Sequence, residues 1–320
     1  MENNTFKPAW WLRNAHMQTI WPTLCRRPDK NLPLRRERFE LIDGDFVDLD
    51  WIGEGHGPIV VVLHGFEGSV NSTYALGMLH TINRQGWRGV LLNFRGCSGE
   101  PNRLPQGYHS GDTQDLEAVI KSIRVREPKT PLAAIGFSLG GNVLLKWLGE
   151  TKTNNPLNAA IAISVPFELD KAASRISQGF SRFYQWYMLR CVQKRLETKF
   201  LKQPMPDHIP EFASLRTIRD FDDKVTAPLH GFADVQEYYL LSSSRQYLRS
   251  ITVPTLLLQS KDDPFMSADV IPLAQELSDH VKLEVTEEGG HVGFVSGNFP
   301  WNAEYWLEKR APEFLREFFN

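Results

Sequence analysis

The stretch "IGFSLGGNV" (residues 135–143) sets a serine between glycines, directly after an apolar run. Glycine and serine together often mark a simple turn. The spacing Gly136-Phe137-Ser138-Leu139-Gly140 also matches a nucleophile elbow, a tight turn that joins a strand to a helix and exposes the serine hydroxyl. No other serine has glycines both two residues before and two residues after it, and the nearest rival is Ser98 in "RGCSGE". We therefore predict a strand, a tight turn and a helix, with Ser138 as the candidate nucleophile.

The segments around this stretch alternate between two patterns. Apolar runs of strand length, typical of strands buried on both faces, alternate with stretches of helical spacing. This alternation predicts an α/β fold in which a mostly parallel sheet is covered by helices on both faces. The predicted strands are 58–66, 87–96, 131–138, 157–165, 253–263 and 282–290, and the predicted helices are 72–85, 112–127, 139–151 and 301–318. Two further segments, 36–43 and 45–53, predict an antiparallel hairpin at the sheet edge.

One connection is much longer than the others. Roughly 85 residues separate the strand that ends at Val165 from the strand that begins near Val253, whereas α/β connections are usually far shorter. We therefore predict an insertion at about 166–250, a mostly helical cap over the carboxyl ends of the strands. The whole chain, residues 1–320, is predicted to form a single domain that includes this insertion, with an N-terminal arm (1–36) packed on it.

Composition excludes several classes of protein. The formal net charge of −2 gives no general attraction to nucleic acid. No run of 18 uncharged apolar residues exists, so we expect no transmembrane helix. The start of the chain does not resemble a signal peptide, and three widely spaced cysteines fit reduced thiols, so we expect a cytoplasmic protein. No metal-ligand spacing joins the cysteines to histidines, and we expect no metal and no cofactor.

A serine hydroxyl becomes a good nucleophile when a positioned imidazole takes its proton. Among the nine histidines, His291 in "EEGGHVGF" follows the last predicted strand in a glycine-rich loop. The chain order serine, acid, histidine places the base there. His64 is the main competitor, but it directly precedes Gly65 at the end of an early strand, a position that better suits shaping the oxyanion loop.

The acid and the oxyanion donors come from other strand ends. The segment "LLLQSKDDPF" offers two adjacent acids, Asp262 and Asp263, and only one of them can face the imidazole because neighbouring side chains point in different directions. The oxyanion of acyl transfer needs two fixed backbone donors. We expect the N–H of Leu139, directly after the serine, and most simply the N–H of Phe66 in the loop "HGFEGS".

A family resemblance is carried by five short motifs: "LHGFEGS", "NFRGCSG", "GFSLGGN", "DDPF" and "GGHVGF". Together they resemble the α/β-hydrolase superfamily. The segments "NAHMQTIWP" (14–22) and "FDDKVTAPLHGF" (221–232) are similar to the YheT-like branch, which also includes eukaryotic abhydrolase-domain lipid hydrolases and yeast ethyl-ester synthases. The resemblance spans nearly the whole chain and implies the α/β-hydrolase fold. It also implies a charge-relay set of Ser138, Asp263 and His291, since an acid just before a proline commonly fills this role in related hydrolases.

The resemblance further implies a carboxylic ester or a related acyl compound as substrate. The expected protein is a serine esterase that cleaves short- to medium-chain or lipid-like esters through an acyl-enzyme, with a small molecule or lipid as its partner and no nucleic acid. Two alternatives remain, namely an acyltransferase with the same triad and a non-catalytic binding protein on a hydrolase fold. The complete set of nucleophile, acid, base and oxyanion loop argues against the second.

An aromatic stripe lies within the predicted cap. Residues 180–202 carry six basic side chains and one acidic side chain beside the stripe, which comprises Phe180, Phe183, Tyr184, Tyr187, Val192, Leu196 and Phe200. Our preferred interpretation is that the stripe packs on the sheet domain while the basic residues stay in solvent. The alternatives are that Phe183 or Tyr187 lines an acyl pocket, or that the helix meets a lipid surface. We expect an enzyme whose cap shapes an acyl pocket, and we do not favour peripheral membrane contact.

Overall fold

An eight-stranded sheet forms the centre of the protein in a computed structural model that describes residues 6–27 and 32–319. The strands are β1 (Arg35–Glu40), β2 (Phe46–Ile52), β3 (Ile59–Leu63), β4 (Arg88–Asn93), β5 (Leu132–Phe137), β6 (Ala159–Ile163), β7 (Thr255–Ser260) and β8 (Val281–Thr286). Their order in the sheet is β1-β2-β4-β3-β5-β6-β7-β8. β2 runs antiparallel to both β1 and β4, and the other neighbours are parallel. The predicted fold class is therefore confirmed, and the predicted edge hairpin forms at β1 and β2.

Helices cover both faces of the sheet and the carboxyl ends of its strands. They are α1 (Ala15–Leu24), α2 (Thr73–Arg84), α3 (Gln114–Arg126), α4 (Leu139–Thr151), α5 (Leu169–Ile176), α6 (Ser181–Phe200), α7 (Ile218–Phe221), α8 (Ala227–His230), α9 (Val235–Ser242) and α10 (Leu307–Leu315). None of the helices within 6–27 and 32–319 is long and apolar enough to cross a membrane.

Alternate side chains of each central strand enter two separate cores. In β3, Val61 and Leu63 join the core beneath α3 and α4, whereas Val60 and Val62 join the core beneath α2 and α10. All of these side chains are fully buried, and burying one valine or leucine contributes about 1.5–3 kcal/mol. Both faces of the sheet are therefore apolar, which explains why the strands appear in the sequence as unbroken apolar runs.

The segment between β6 and β7 contains α5 to α9 and no strand. Residues 222–226 form one turn of π-helix between α7 and α8. The N-terminal segment, described for 6–27, packs against the loop that follows β8 through the buried side chains of Ala9 and Leu12. Residues 1–5 and 28–31 of the predicted arm lie outside the described residues.

The end of the chain differs from the predicted helix over 301–318. Residues 300–302 form a short 3-10 turn, and α10 begins only at Leu307. Two short strands, β9 (Val295–Ser296) and β10 (Glu304–Tyr305), pair antiparallel just before it. The backbone groups of Glu304 and Tyr305 are therefore used in strand pairing, and the helix cannot start until this pairing ends.

Candidate active site

Ser138 lies at the junction between β5 and α4, where the chain turns sharply. Its φ of 50° and ψ of −119° fall where residues other than glycine are rare. Such a conformation costs of order 1–3 kcal/mol and persists only where the surroundings hold it. Here the Ser138 N–H donates to the carbonyl of Ile163 at 2.8 Å, which fixes the turn against β6. The predicted strand–turn–helix forms, and it presents the hydroxyl beyond the carboxyl end of β5.

Two of the flanking glycines are required by close backbone contacts. A Cβ atom at Gly136 would lie 2.5 Å from the Gly140 carbonyl oxygen. A Cβ atom at Gly140 would lie 2.5 Å from the carbonyl oxygen of His64, at the end of β3. No side chain fits at either distance, so the spacing of glycines around the serine reflects the packing of α4 against the neighbouring strand end.

The structure brings Ser138, His291 and Asp263 together in one line of hydrogen bonds. His291 Nε2 lies 2.9 Å from Ser138 Oγ, and His291 Nδ1 lies 2.8 Å from Asp263 Oδ2. The Asp263 side chain is 1% exposed and that of His291 is 9% exposed. An imidazole held in this way by a carboxylate can accept the proton of a serine hydroxyl.

The two adjacent acids after β7 contact different partners. Asp263 accepts the backbone N–H of Phe265 at 2.8 Å through Oδ1, which leaves Oδ2 for His291. Asp262 instead accepts the backbone N–H of Gly290 at 2.9 Å. The Phe265 ring stacks on the imidazole with a centroid distance of 4.1 Å and an angle of 11°. Asp263 therefore faces the imidazole, while Asp262 holds the loop that carries it.

His64 is not available as a base in this arrangement. It is fully buried, its Nε2 accepts the N–H of Phe94 at 3.1 Å, and its Nδ1 lies 2.7 Å from the Gly65 carbonyl oxygen. The Phe94 contact requires an unprotonated Nε2, so Nδ1 carries the hydrogen and donates it to that carbonyl. Burial lowers the pKa of His64 to about 4, which keeps the ring neutral. His64 thus shapes the loop after β3.

The two predicted oxyanion donors line the same cleft as the serine and histidine. In the loop after β3, the N–H of Gly65 donates to the Tyr74 hydroxyl and that of Glu67 to the Tyr108 hydroxyl, both at 2.8 Å. The N–H of Phe66 lies between them and has no acceptor within 6–27 or 32–319. Leu139 is the first residue of α4, and the first amides of a helix have no partner inside it. Both N–H groups can therefore donate a hydrogen bond to a ligand oxygen.

A buried ion pair joins this loop to α6. Arg195 of α6 contacts both carboxylate oxygens of Glu67 at 2.9–3.0 Å, and the Tyr108 hydroxyl donates to the same carboxylate at 2.8 Å. The side chains of Arg195 and Glu67 are 15% and 9% exposed. Glu67 has a φ of 51°, so its backbone, next to the Phe66 amide, is also strained.

The N-terminal helix holds the loop that carries His291. The N–H of His291 donates to Thr19 Oγ1 at 2.9 Å. The fully buried Gln18 accepts the N–H of Val295 and donates to its carbonyl, at 2.7 and 3.0 Å. A Cβ atom at Gly293 would lie 2.3 Å from the Gln18 carbonyl oxygen. The predicted N-terminal arm thus packs on the domain, but its contacts with the loop that carries His291 were not predicted from "NAHMQTIWP".

A mostly apolar cleft opens at the serine. Its empty volume is about 980 Å³, including the part that opens to solvent. The apolar lining comes largely from α5 to α8, with Leu169, Ala173, Ile176, Met188, Val192, Leu196, Ile218, Phe221, Val225 and Leu229. A polar group lines it too, formed by His109, Asp222, His230 and Tyr239. Burial lowers the pKa of both histidines to about 3 and raises that of Asp222 to about 6.

The aromatic stripe of α6 does not pack as predicted. Tyr184, Val192 and Leu196 are buried, but Phe180, Phe183 and Tyr187 are more than half exposed. Neither Phe183 nor Tyr187 lines the cleft, so both the packing interpretation and the pocket interpretation are wrong for these two residues. The reason is the orientation of the helix, which turns Met188, Val192 and Leu196 toward the cleft. Positions 183 and 187 lie on the opposite face of the helix, which is exposed to solvent.

No group of three or more histidines, cysteines and acids that could hold a metal ion occurs among the described residues, 6–27 and 32–319.

The chain is similar to several known proteins. The sequence model of a family described as "alpha/beta hydrolase fold" matches residues 58–298. The "Putative esterase YheT" of Escherichia coli is 42% identical over 316 residues, which cover 97% of this chain and 92% of that protein. The human "Phospholipase ABHD3" is 30% identical over 94% of this chain and 76% of that protein.

The solved structures show the same fold at greater distance. The Pyrococcus furiosus esterase Pf2001 has a TM-score of 0.59 and 20% identity, and the match covers 90% of this chain and 92% of that one. The predicted resemblance is thus confirmed by a family model, by full-length relatives and by architecture. The chain belongs to the α/β-hydrolase family and, within it, to the branch that contains the YheT esterase.

Proposed function

We propose that the protein is a serine hydrolase that cleaves carboxylic esters through an acyl-enzyme on Ser138. The observation that carries the proposal is the position of His291, whose two ring nitrogens lie 2.9 Å from Ser138 Oγ and 2.8 Å from Asp263 Oδ2. The relatives described as an esterase and a phospholipase support ester hydrolysis as the reaction class.

Acylation begins when Ser138 Oγ attacks the ester carbonyl carbon and His291 Nε2 takes the hydroxyl proton. Asp263 accepts a hydrogen bond from Nδ1–H, which fixes the tautomer and stabilises the imidazolium. The developing oxyanion accepts hydrogen bonds from the N–H groups of Phe66 and Leu139, and one such donor is worth about 10²–10³ in rate. His291 then gives its proton to the leaving alcohol, and the acyl group stays on the serine.

Deacylation repeats these steps with water as the nucleophile. His291 takes a proton from water, the hydroxide attacks the acyl carbon, and the acid leaves as Ser138 recovers its proton. The mechanism uses no metal and no cofactor. An alcohol in place of water would yield a new ester, so product analysis in the presence of an alcohol measures how far the enzyme also transfers acyl groups.

The lining of the cleft supports an apolar acyl group as the part of the substrate that is bound. Aliphatic side chains of α5 and α6, among them Leu169, Ile176, Val192 and Leu196, surround the space next to the serine. Each methylene that such a surface removes from water contributes about 0.8 kcal/mol. We therefore propose short- to medium-chain or lipid-like acyl esters as substrates.

The test is hydrolysis of p-nitrophenyl esters of increasing acyl length, together with labelling by a fluorophosphonate. Ser138→Ala should lower the rate by about 10⁴-fold or more and abolish labelling. Ser98→Ala is the matched control, because its hydroxyl donates to Asp48 at 2.6 Å and lies outside the cleft. Val192→Trp should shift the preference toward shorter acyl chains. Ordinary turnover by Ser138→Ala, or a wild-type protein that neither reacts nor hydrolyses, would contradict the proposal.

We also propose that the protein works in the cytoplasm. Cys25, Cys97 and Cys191 are free thiols. Unpaired thiols persist most readily in a reducing compartment. Fractionation of cells that produce the full chain tests this proposal, and recovery from the periplasm or the medium would contradict it.

A further inference from the structure

The outward face of α6 carries an exposed aromatic cluster with basic residues on both sides. Phe183, Trp186 and Tyr187 are 52%, 57% and 58% exposed, and the Phe183 and Trp186 rings contact each other with centroids 5.9 Å apart. Large aromatic side chains that adjoin one another on a surface commonly mark an interaction site. We call the face formed by Arg182, Phe183, Trp186, Tyr187, Arg190 and Lys194 the outer face of α6.

The charge of this face is positive. Arg182, Arg190 and Lys194 are exposed, and none of them forms an ion pair with another described residue. The nearest acidic side chain along the helix is the exposed Glu197, one turn after Lys194, so the three cations outnumber the acids on this helix surface. The formal net charge of the chain is −2, so this positive surface is local to α6. Three unpaired cations beside exposed aromatic rings complement an anionic surface that also has an apolar interior.

The outer face of α6 is connected to the candidate active site. A series of ring contacts runs from Phe183 to Tyr184, from Tyr184 to Phe265 and from Phe265 to His291, with centroid distances of 6.2, 4.9 and 4.1 Å. The opposite face of the same helix lines the cleft with side chains such as Met188. One helix thus has its inner side on the cleft and its outer side on the solvent.

We infer that the outer face of α6 docks on the surface of an anionic phospholipid bilayer. Aromatic side chains favour the boundary between headgroups and acyl chains, and nearby arginine and lysine side chains bind the lipid phosphates. A protein partner would have to present separate carboxylates to Arg182, Arg190 and Lys194, whereas an anionic bilayer presents lipid phosphates across its whole surface, so the charge of this face favours the bilayer. The inference concerns binding alone and does not depend on the proposed esterase activity. Docking in this way brings the wall of the cleft to the membrane surface.

Flotation of the full chain with lipid vesicles tests this inference. Wild-type protein should float with vesicles that contain phosphatidylglycerol, and much less with vesicles of phosphatidylcholine alone. High salt should weaken the binding, because it screens the attraction between the basic residues and the lipid. The charge variant Arg182→Glu/Arg190→Glu/Lys194→Glu should lose about 100-fold or more in partitioning. The single variant Trp186→Ser should weaken binding to these vesicles at low salt and at high salt.

Two controls keep the outcome unambiguous. Trp301→Ser removes an indole that is 81% exposed on a different element, and it should leave flotation unchanged. The circular dichroism spectrum and the urea unfolding midpoint should be unchanged in all variants, which shows that they are folded. Wild-type protein that does not float, or a charge variant that floats like wild type, would overturn the inference. So would dimerisation of the wild type in light scattering that Trp186→Ser abolishes, because a second copy would then cover this face.

Discussion

The buried ion pair between Arg195 and Glu67 offers a sensitive test of how α6 supports the candidate active site. In Arg195→Met, the Glu67 carboxylate keeps the Tyr108 hydroxyl but loses its charged partner. Both side chains are mostly buried, with 15% and 9% exposure, so solvent cannot replace the guanidinium. Breaking a buried pair on one side typically costs about 3–5 kcal/mol, and we expect a loss near the lower figure in the free energy of unfolding.

The double variant Arg195→Met/Glu67→Gln separates this cost from simple loss of packing. Glutamine still accepts a hydrogen bond from Tyr108 but carries no charge, and neutral replacement of a buried pair is often nearly neutral for stability. We therefore expect the double variant to recover about 2 kcal/mol relative to Arg195→Met. Urea unfolding followed by tryptophan fluorescence gives these values. Arg190→Met is the matched control, since that arginine is exposed on the same helix.

Activity should fall together with stability, for a separate reason. Glu67 directly follows Phe66, and its positive φ of 51° is held by the contacts to Arg195 and Tyr108. If the loop relaxes, the Phe66 N–H moves away from the oxyanion, and kcat on a short ester should drop by about 10²-fold or more. Two results would refute this role of the ion pair. One is that Arg195→Met lowers the free energy of unfolding by less than about 1 kcal/mol, and the other is that it lowers it by the same amount in wild type and in Glu67→Gln.

Three other substitutions test separate parts of the arrangement. Asp263→Asn should lower kcat by about 10⁴-fold while Asp262→Asn does far less, and the reverse ranking in a steady-state assay would reassign the acid. Thr19→Val should lower kcat about 10-fold or more with little change in KM, because the loop that carries His291 loses a hydrogen bond. Thr23→Val, at an exposed site of the same helix, is the control and should leave kcat unchanged. Burial lowers the pKa of Lys199 from 10.5 to about 7, so between these pH values the unfolded chain binds more protons. The free energy of unfolding of the wild type should therefore rise with pH across this window relative to Lys199→Met, and a flat or falling difference in urea titrations would contradict that pKa.

The elbow and the sheet could be predicted because their causes are local. Gly136 and Gly140 are required by backbone contacts within a few residues of the turn and with the adjacent strand end, so their spacing appears directly in the sequence. The strands are buried on both faces, and their apolar runs follow from that burial. Two adjacent acids could be placed near the base, but nothing local distinguishes the one that faces the imidazole from the one that binds the Gly290 amide.

The missed features depend on contacts between distant segments. Contacts with other segments decide which face of α6 meets the cleft. The sequence of the helix does not, because it has apolar side chains on more than one face. Phe183 and Tyr187 therefore look like core residues although they lie in solvent. The role of Gln18 is likewise invisible without the fold, because its partner Val295 is 277 residues away in the chain.

The hydrogen bond between the N-terminal helix and the loop that carries His291 has a consequence for the synthesis of the protein. Thr19 and His291 are 272 residues apart, so Thr19 leaves the ribosome long before His291 is added to the chain. Synthesis adds about 5–20 residues per second, so a nascent chain contains Ser138 for several seconds before it contains His291. During that interval the Ser138 hydroxyl has no His291 imidazole to activate it. In the proposed mechanism, such a partly synthesised chain carries an unreactive serine, and the serine gains reactivity only after α1 has bound the loop that carries His291, which is translated later.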